Sequence, residues 1–256
     1  MRHPFDSNLG YRVGAAPGIP LIKAITNRTW LGTENIPTKG AAIFFMNHTS
    51  YADPLVTALY FYENGRAVRF FGKDSLFRLP LIGWVIRKAE QIPVKRESDS
   101  AAAALEIARE LLDKNLAVGI YPEGTLTRDP NLWPMQAKTG AVRLALLTGA
   151  PLIPVAQWGA HKIIGRYQRK LKLFPKTKVV IKAGKPLDLS KWKNKIEDHN
   201  SMVEATAYAM RELTSILAQL RGEPIPEKIF DPHASDLPRT GNFKKDRKST
   251  RLNSSH

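Results

Sequence analysis

A single α/β domain, with a mostly parallel or mixed central sheet flanked by helices, is the fold this sequence predicts. Short apolar runs rich in β-branched and aromatic residues alternate with segments of helical spacing, as in strands joined by crossover helices. Two of these runs end in polar residues, Asn47-His48 and Glu123-Gly124-Thr125, and would converge on one cleft at the carboxyl end of the sheet. At 256 residues the chain is long enough for one sizeable core and need not divide.

Taken in order, residues 1 to 18 are punctuated by Gly and Pro and read as loose. Ile19 to Trp30 mixes Leu21, Ile22 and Ile25 with Lys23 and Arg28, a mixture that suits a surface helix on lipid headgroups or a helix packed on the domain. Residues 1 to 30 are therefore set apart as an N-terminal segment with a short helix suited to membrane contact, ahead of a main domain over 31 to 222. The apolar stretch Ala41 to Met46 delivers Asn47-His48-Thr49-Ser50-Tyr51-Ala52-Asp53-Pro54, in which Asp-Pro is a good helix start. Leu55 to Tyr62 has helical spacing and stops at Asn64-Gly65; Val68 to Phe71 is a strand. Asp74 to Ala89 carries eight apolar residues rimmed by Arg78, Arg87 and Lys88, either a core helix or a face for membrane or acyl chain.

Gln91 to Lys95 is a short strand, and Ser98-Asp99-Ser100 caps a helix from Ala101 to about Lys114. Leu116 to Tyr121 is a buried strand, Lys138-Thr139-Gly140 opens a helix to Leu147, and Leu152 to Trp158 and Lys178 to Ala183 are strands. Between these last two, Lys162 to Lys178 is strongly basic. Ser201-Met202-Val203-Glu204 has the form of a capping box opening a long amphipathic helix to about Arg221. Residues 223 to 256 form a C-terminal extension expected to be disordered and partly non-native, since 243 to 256 hold five basic residues and one acid, and the last ten or so resemble a fusion or read-through.

Composition narrows the chemistry. There is no cysteine, which removes disulfides, cysteine ligands and a cysteinyl thioester intermediate. A formal charge of +16 attracts nucleic acid, anionic lipid or phosphorylated substrates alike. The basic residues are not interleaved with an RNA-binding aromatic signature or a DNA-reading helix, so no nucleic-acid partner is expected. No stretch reads as a signal peptide or a full span, so contact with a bilayer would be peripheral.

Within the first polar run, His48 is the candidate base and Asp53 its orienting carboxylate, because an imidazole takes a proton near neutral pH and a carboxylate stabilises the imidazolium. A histidine after a strand also serves as a plain structural residue, and Asp before Pro as a plain helix cap. No Gly-x-Ser-x-Gly elbow supplies a serine nucleophile, so the attacking hydroxyl belongs to a substrate. No Cys/His cluster or HExxH pattern suggests a metal.

Four blocks in order, Asn47 to Asp53, Gln91-Ile92-Pro93-Val94-Lys95-Arg96, Tyr121-Pro122-Glu123-Gly124-Thr125 and Ile153-Pro154-Val155-Ala156, resemble those of the glycerolipid acyltransferases, in particular the 1-acylglycerol-3-phosphate acyltransferase family. The resemblance covers roughly residues 20 to 220. It implies that His48 deprotonates a glycerol hydroxyl, which attacks an acyl thioester of coenzyme A or acyl-carrier protein, with no metal or other cofactor. It implies a lysophospholipid acceptor, an anionic membrane surface as partner, and a peripheral place on the cytoplasmic face of the cell membrane. Arg96 would hold the acceptor phosphate, where the planar guanidinium reaches two oxygens, with Lys73 and Lys95 adding charge. Glu123, Gly124 and Thr125 would bind or orient the acceptor, and Lys138 matches the Lys-x-Gly that often follows.

The sequence departs from the family at Leu126, where Arg is common; Arg128 is the substitute candidate. The acceptor therefore stays open between 1-acylglycerol-3-phosphate, another lysophospholipid and glycerol-3-phosphate. A basic nucleic-acid-binding protein and a metal-free esterase using His48 and Asp53 are the readings from other classes.

Overall fold

The computed structural model describes residues 3–94, 98–168 and 170–232, with the side chains of 98–101 left aside. Arg96 and Lys95 lie outside the described residues, as does the tail from 233. The strands are β1 (Thr26–Leu31), β2 (Ala42–Met46), β3 (Val68–Lys73), β4 (Ile92–Val94), β5 (Ala117–Ile120), β6 (Leu152–Trp158) and β7 (Thr177–Ala183). They form one sheet in the order β1-β7-β6-β2-β5-β3-β4, parallel throughout except for the β6–β7 pair. A mixed sheet flanked by helices is thus the observed fold class.

The helices are α1 (Leu9–Ile25), α2 (Asp53–Glu63), α3 (Asp74–Phe77), α4 (Ile82–Lys88), α5 (Ser98–Asp113), α6 (Gly140–Thr148) and α7 (His199–Arg221). Strand alternation divides the core. Phe44, Met46, Val68 and Phe70 meet α1 and α2 on one face, while Ile43, Phe45, Val118 and Ile120 meet α5, α6 and α7 on the other. All five residues of β2 are buried, as expected of a central parallel strand covered on both faces.

Several expectations are corrected. Of the stretch 1 to 18, expected to be loose, residues 9 to 18 are helical, because α1 begins at Leu9, with the Asn8 side chain accepting from Tyr11 N–H at 2.8 Å. Pro17 and Pro20 sit inside α1, which buries Tyr11, Ile22 and Ile25 and packs against α4. Gly10 and Gly14 make that contact close, since a Cβ on Gly10 would stand 2.4 Å from Lys88 backbone. The helix expected over Ile19 to Trp30 ends at Ile25, and Thr26 to Leu31 pairs instead with β7, so a boundary at residue 30 falls inside a strand of the main sheet. The segment Asp74 to Ala89 is broken at Pro80, with Leu81 at φ 58° between α3 and α4.

Helix α7 is capped by Asp198, which accepts from Ser201 N–H, rather than by Ser201; Glu204 bonds Lys191 and Trp192. Residues 223–232, expected to be disordered, run back along the body: Gln136 N–H donates to Phe230 C=O at 2.9 Å and Met135 pairs with Phe230.

Candidate active site

Strands β2 and β5 are parallel neighbours with Phe45 opposite Ile120, so the residues that follow each strand emerge side by side at the carboxyl edge of the sheet. Three residues beyond each partner stand His48 and Glu123. The backbone N–H of His48 donates to Glu123 Oε1 at 3.0 Å, and its C=O accepts from Thr127 N–H at 2.7 Å. The two candidate segments are thereby stitched together at the histidine's own main chain.

The chain turns at residues 47–52 and enters α2. Asp53 is fully buried, yet it does not cap its helix: the N-cap position is Ala52. Its carboxylate faces back into the turn. Oδ2 accepts from His48 Nδ1 at 2.9 Å, from Thr49 N–H at 2.5 Å and from Ser50 N–H at 2.8 Å. A carboxylate is acceptor-only, so Nδ1 carries the proton and the lone pair falls on Nε2. Nε2 has no hydrogen-bond partner among the described residues.

The imidazole face stacks on Tyr121, ring centroids 4.2 Å apart, and Tyr121 stacks in turn on Phe70. Burial holds the Tyr121 phenol far above its ordinary range, so it remains neutral, and its hydroxyl lies 2.9 Å from Thr57 Oγ1. Burial likewise pushes the Glu123 carboxyl up to about 8, against the pull of the N–H groups of His48 and Met135.

His48 opens onto a cavity of about 940 Å³, at the upper end of the range for ligand sites. Its walls are chiefly apolar and come from both faces of the sheet: Ile22, Leu59 and Phe70 on one, Ala104, Ile120 and Ala141 on the other. Lys73, Gly124, Thr125 and Lys138 also line it. Gly124 is at φ 70°, in the left-handed region that favours glycine, and the Lys138 side chain lies in ordinary contact over it.

Among the sequence candidates, His48, Asp53, Lys73, Glu123, Gly124, Thr125 and Lys138 therefore meet at one edge. Two qualifications concern Glu123 and Arg128. Both Glu123 oxygens are engaged by backbone N–H groups, those of His48 and Met135, and the residue is 6% exposed. Arg128 is buried and does not line the cavity; none of its three guanidinium nitrogens has a hydrogen-bond partner among the described residues. Leu126, in contrast, is a wall residue.

Sequence reasoning missed Tyr121 as the platform for the imidazole and Gln157 as a partner of Asn47; only the place of Tyr121 at the head of the third block and of Gln157 just after the fourth was visible. Among the described residues, no group of three or more His, Cys, Asp or Glu is arranged to hold a metal ion, and no helix is long and apolar enough to cross a membrane.

The family model described as Acyltransferase matches residues 27–158. A chloroplastic 1-acyl-sn-glycerol-3-phosphate acyltransferase of Brassica napus is 33% identical over 135 residues, which are 52% of this chain and 38% of that protein. The enzyme of the same name from Bacillus subtilis (strain 168) is 28% identical over 190 residues, 73% of this chain and 88% of its own length. A Borreliella burgdorferi relative of that name is 33% identical, with half of its length matched, so this chain spans half or less of the Brassica and Borreliella proteins. In three dimensions, the 1-acyl-sn-glycerophosphate acyltransferase of Thermotoga maritima superposes with a TM-score of 0.63 at 24% identity, covering 84% of this chain and 80% of that one, which establishes a shared fold.

Proposed function

The chain belongs to the Acyltransferase family, and on that premise we propose that it transfers a fatty acyl group from a thioester to the sn-2 hydroxyl of 1-acylglycerol-3-phosphate, forming phosphatidate. One observation carries the reading: an imidazole oriented by a buried carboxylate, its second nitrogen open, stands at a large apolar cavity edged by cations. Such a cavity suits fatty acyl chains.

In this reading His48 Nε2 takes the proton of the acceptor hydroxyl as its oxygen attacks the thioester carbonyl carbon. The C–S bond then breaks, and the leaving thiolate recovers the proton from the imidazolium. Asp53 holds the ring and offsets the charge it acquires. No metal or further cofactor enters; the thioester of coenzyme A or acyl-carrier protein is a co-substrate.

Lys73 and Lys138 at the cavity wall provide charge for the acceptor phosphate. Arg128 is the further candidate, because an unpartnered guanidinium in the interior is a costly state that an anion would complete. The place of action we propose is the cytoplasmic face of a membrane. Leu9, Val13 and Leu21 of α1, Leu76 of α3, Leu81 of the intervening turn, and Ile82 and Trp84 of α4 are exposed apolar residues near cationic Arg78 and Lys88, a combination that favours the lipid interface.

The test is a panel of acceptors, 1-acylglycerol-3-phosphate, other lysophospholipids and glycerol-3-phosphate, offered with acyl-coenzyme A and acyl-carrier protein to purified protein. Phosphatidate as the preferred product is expected. Ester on another acceptor only would move the substrate assignment, and free fatty acid at a rate indifferent to acceptor would make the protein a thioesterase.

A further inference from the structure

Strand β2 separates from β6 where the base begins. Met46 opposite Val155 is the last rung the two strands share. Beyond it β6 runs on to Trp158, while Asn47 and His48 bend away toward the end of β5. Parting two parallel strands in the interior orphans main-chain donors and acceptors, which is costly unless other groups replace the missing ladder.

Two side-chain amides replace it. Asn47 Oδ1 accepts from Gln157 N–H at 2.9 Å and Asn47 Nδ2 donates to Gln157 C=O at 3.1 Å. Gln157 Nε2 donates to Asn47 C=O at 2.9 Å. Both residues are 1% exposed. The peptide group joining Asn47 to His48 is thus gripped at both ends, its oxygen by the Gln157 side chain and its N–H by Glu123. Rotation of that plane would swing the imidazole off Tyr121 and away from Asp53.

From this we infer that Gln157, a residue of β6 that does not line the cavity, is a positioning residue for His48. The inference rests on the reading of His48 as the base. It differs from ordinary strand packing, because the bonds concerned end on the peptide that carries the base.

The test compares Gln157→Leu and the isosteric Gln157→Glu with wild type, reading kcat, both Michaelis constants and the melting temperature. A displacement of the base of about 1 Å costs on the order of a hundredfold in rate. Gln157→Leu, which leaves Asn47 C=O without its donor, is therefore expected to lower kcat by about ten- to a hundredfold, with both Michaelis constants within about twofold. Gln157→Glu keeps the volume and reports the loss of the amide donor should the leucine variant fail to fold. In a His48→Ala background, neither substitution should lower the residual rate further. Unchanged kcat in a folded variant, a Michaelis constant that rises as kcat falls, or an equal loss in the His48→Ala background overturns the inference. Full turnover by His48→Ala alone overturns the base assignment instead, whatever Gln157 does.

Discussion

Replacing Asp53 by asparagine isolates the charge from the geometry. In the folded protein Oδ2 receives His48 Nδ1–H and the N–H groups of Thr49 and Ser50, while Thr49 Oγ1 stands 3.4 Å from Oδ1. An asparagine oxygen placed at Oδ2 keeps all three acceptor contacts, and its NH2 group then faces the Thr49 hydroxyl, which accepts. The shape and the tautomer survive; the negative charge does not. For an imidazolium 2.9 Å away, Coulomb's law at an effective dielectric of about 20 gives a ceiling of about 6 kcal/mol. With hydrogen bonding retained, a loss of about 3–5 kcal/mol in transition-state stabilisation is the expected part, a fall in kcat of roughly 10²- to 10⁴-fold. Weakening charge-assisted bonds to neutral ones costs the fold about 1–2 kcal/mol, a drop in melting temperature of less than about 8 °C for a domain of this size. Thiol release from acyl-coenzyme A in the presence of acceptor, set beside a thermal melt, separates the two effects. A kcat within about tenfold of wild type, or a rate loss that merely follows the unfolded fraction, would refute the orienting role.

Three further outcomes follow from the same region. Arg128→Met removes a buried, unpartnered charge, so the melting temperature should rise by a few degrees, an expected gain of about 1–2 kcal/mol, while the acceptor's Michaelis constant rises; a lower melting temperature would contradict the first part and an unchanged Michaelis constant the second. Glu123, held up to about 8 in the fold against 4.5 ordinarily, binds its proton more tightly folded than unfolded. Its contribution is therefore full below pH 4.5 and is lost as pH rises through 8, a slope on the order of a few kcal/mol in all. His161, lowered to about 4 by burial, acts oppositely and gives stability that is present above pH 6.5 and lost as pH falls toward 4, so Glu123→Gln should flatten the decline between pH 6.5 and 8 in denaturant titrations, and a persisting decline would locate it elsewhere. Leu81→Glu with Trp84→Glu, at positions 81% and 50% exposed, should reduce sedimentation with anionic phospholipid vesicles several-fold while leaving the fold unchanged; equal sedimentation would take this face off the bilayer.

The fold was legible where local pattern and tertiary environment agree. Leu152 to Trp158 reads as a strand from composition and forms one over the same residues. The N-terminal thirty residues misled for a physical reason. Pro17 and Pro20 argue against a helix locally, while tertiary packing favours one: Gly10 and Gly14 fit against α4, and Tyr11, Ile22 and Ile25 are buried. Thr26 to Leu31 carries basic residues that suit a surface helix, and its strand character comes from a partner, β7, some 150 residues later. At Pro80 the proline itself gave the signal, outweighed by the apolar run on both sides.

Site residues divide along the same line. His48 and Asp53 are five apart, so their spacing within one turn carries their relation. Glu123 meets His48 across 75 residues of chain and Gln157 meets Asn47 across 110, and their geometry arises from strand register: Phe45 opposite Ile120 sets Glu123 beside His48 N–H, and the last β2–β6 rung sets Gln157 beside Asn47. A central parallel strand cannot both remain paired and turn its next residue toward a cleft. Leaving the sheet frees the histidine but strands the main chain behind it, and polar side chains from β6 and from the turn after β5 take up what is stranded. The residues that let β2 end there are therefore bound to the base by the hydrogen-bond requirements of the interior, and a substitution at either is felt at the imidazole before it is felt at the cavity wall.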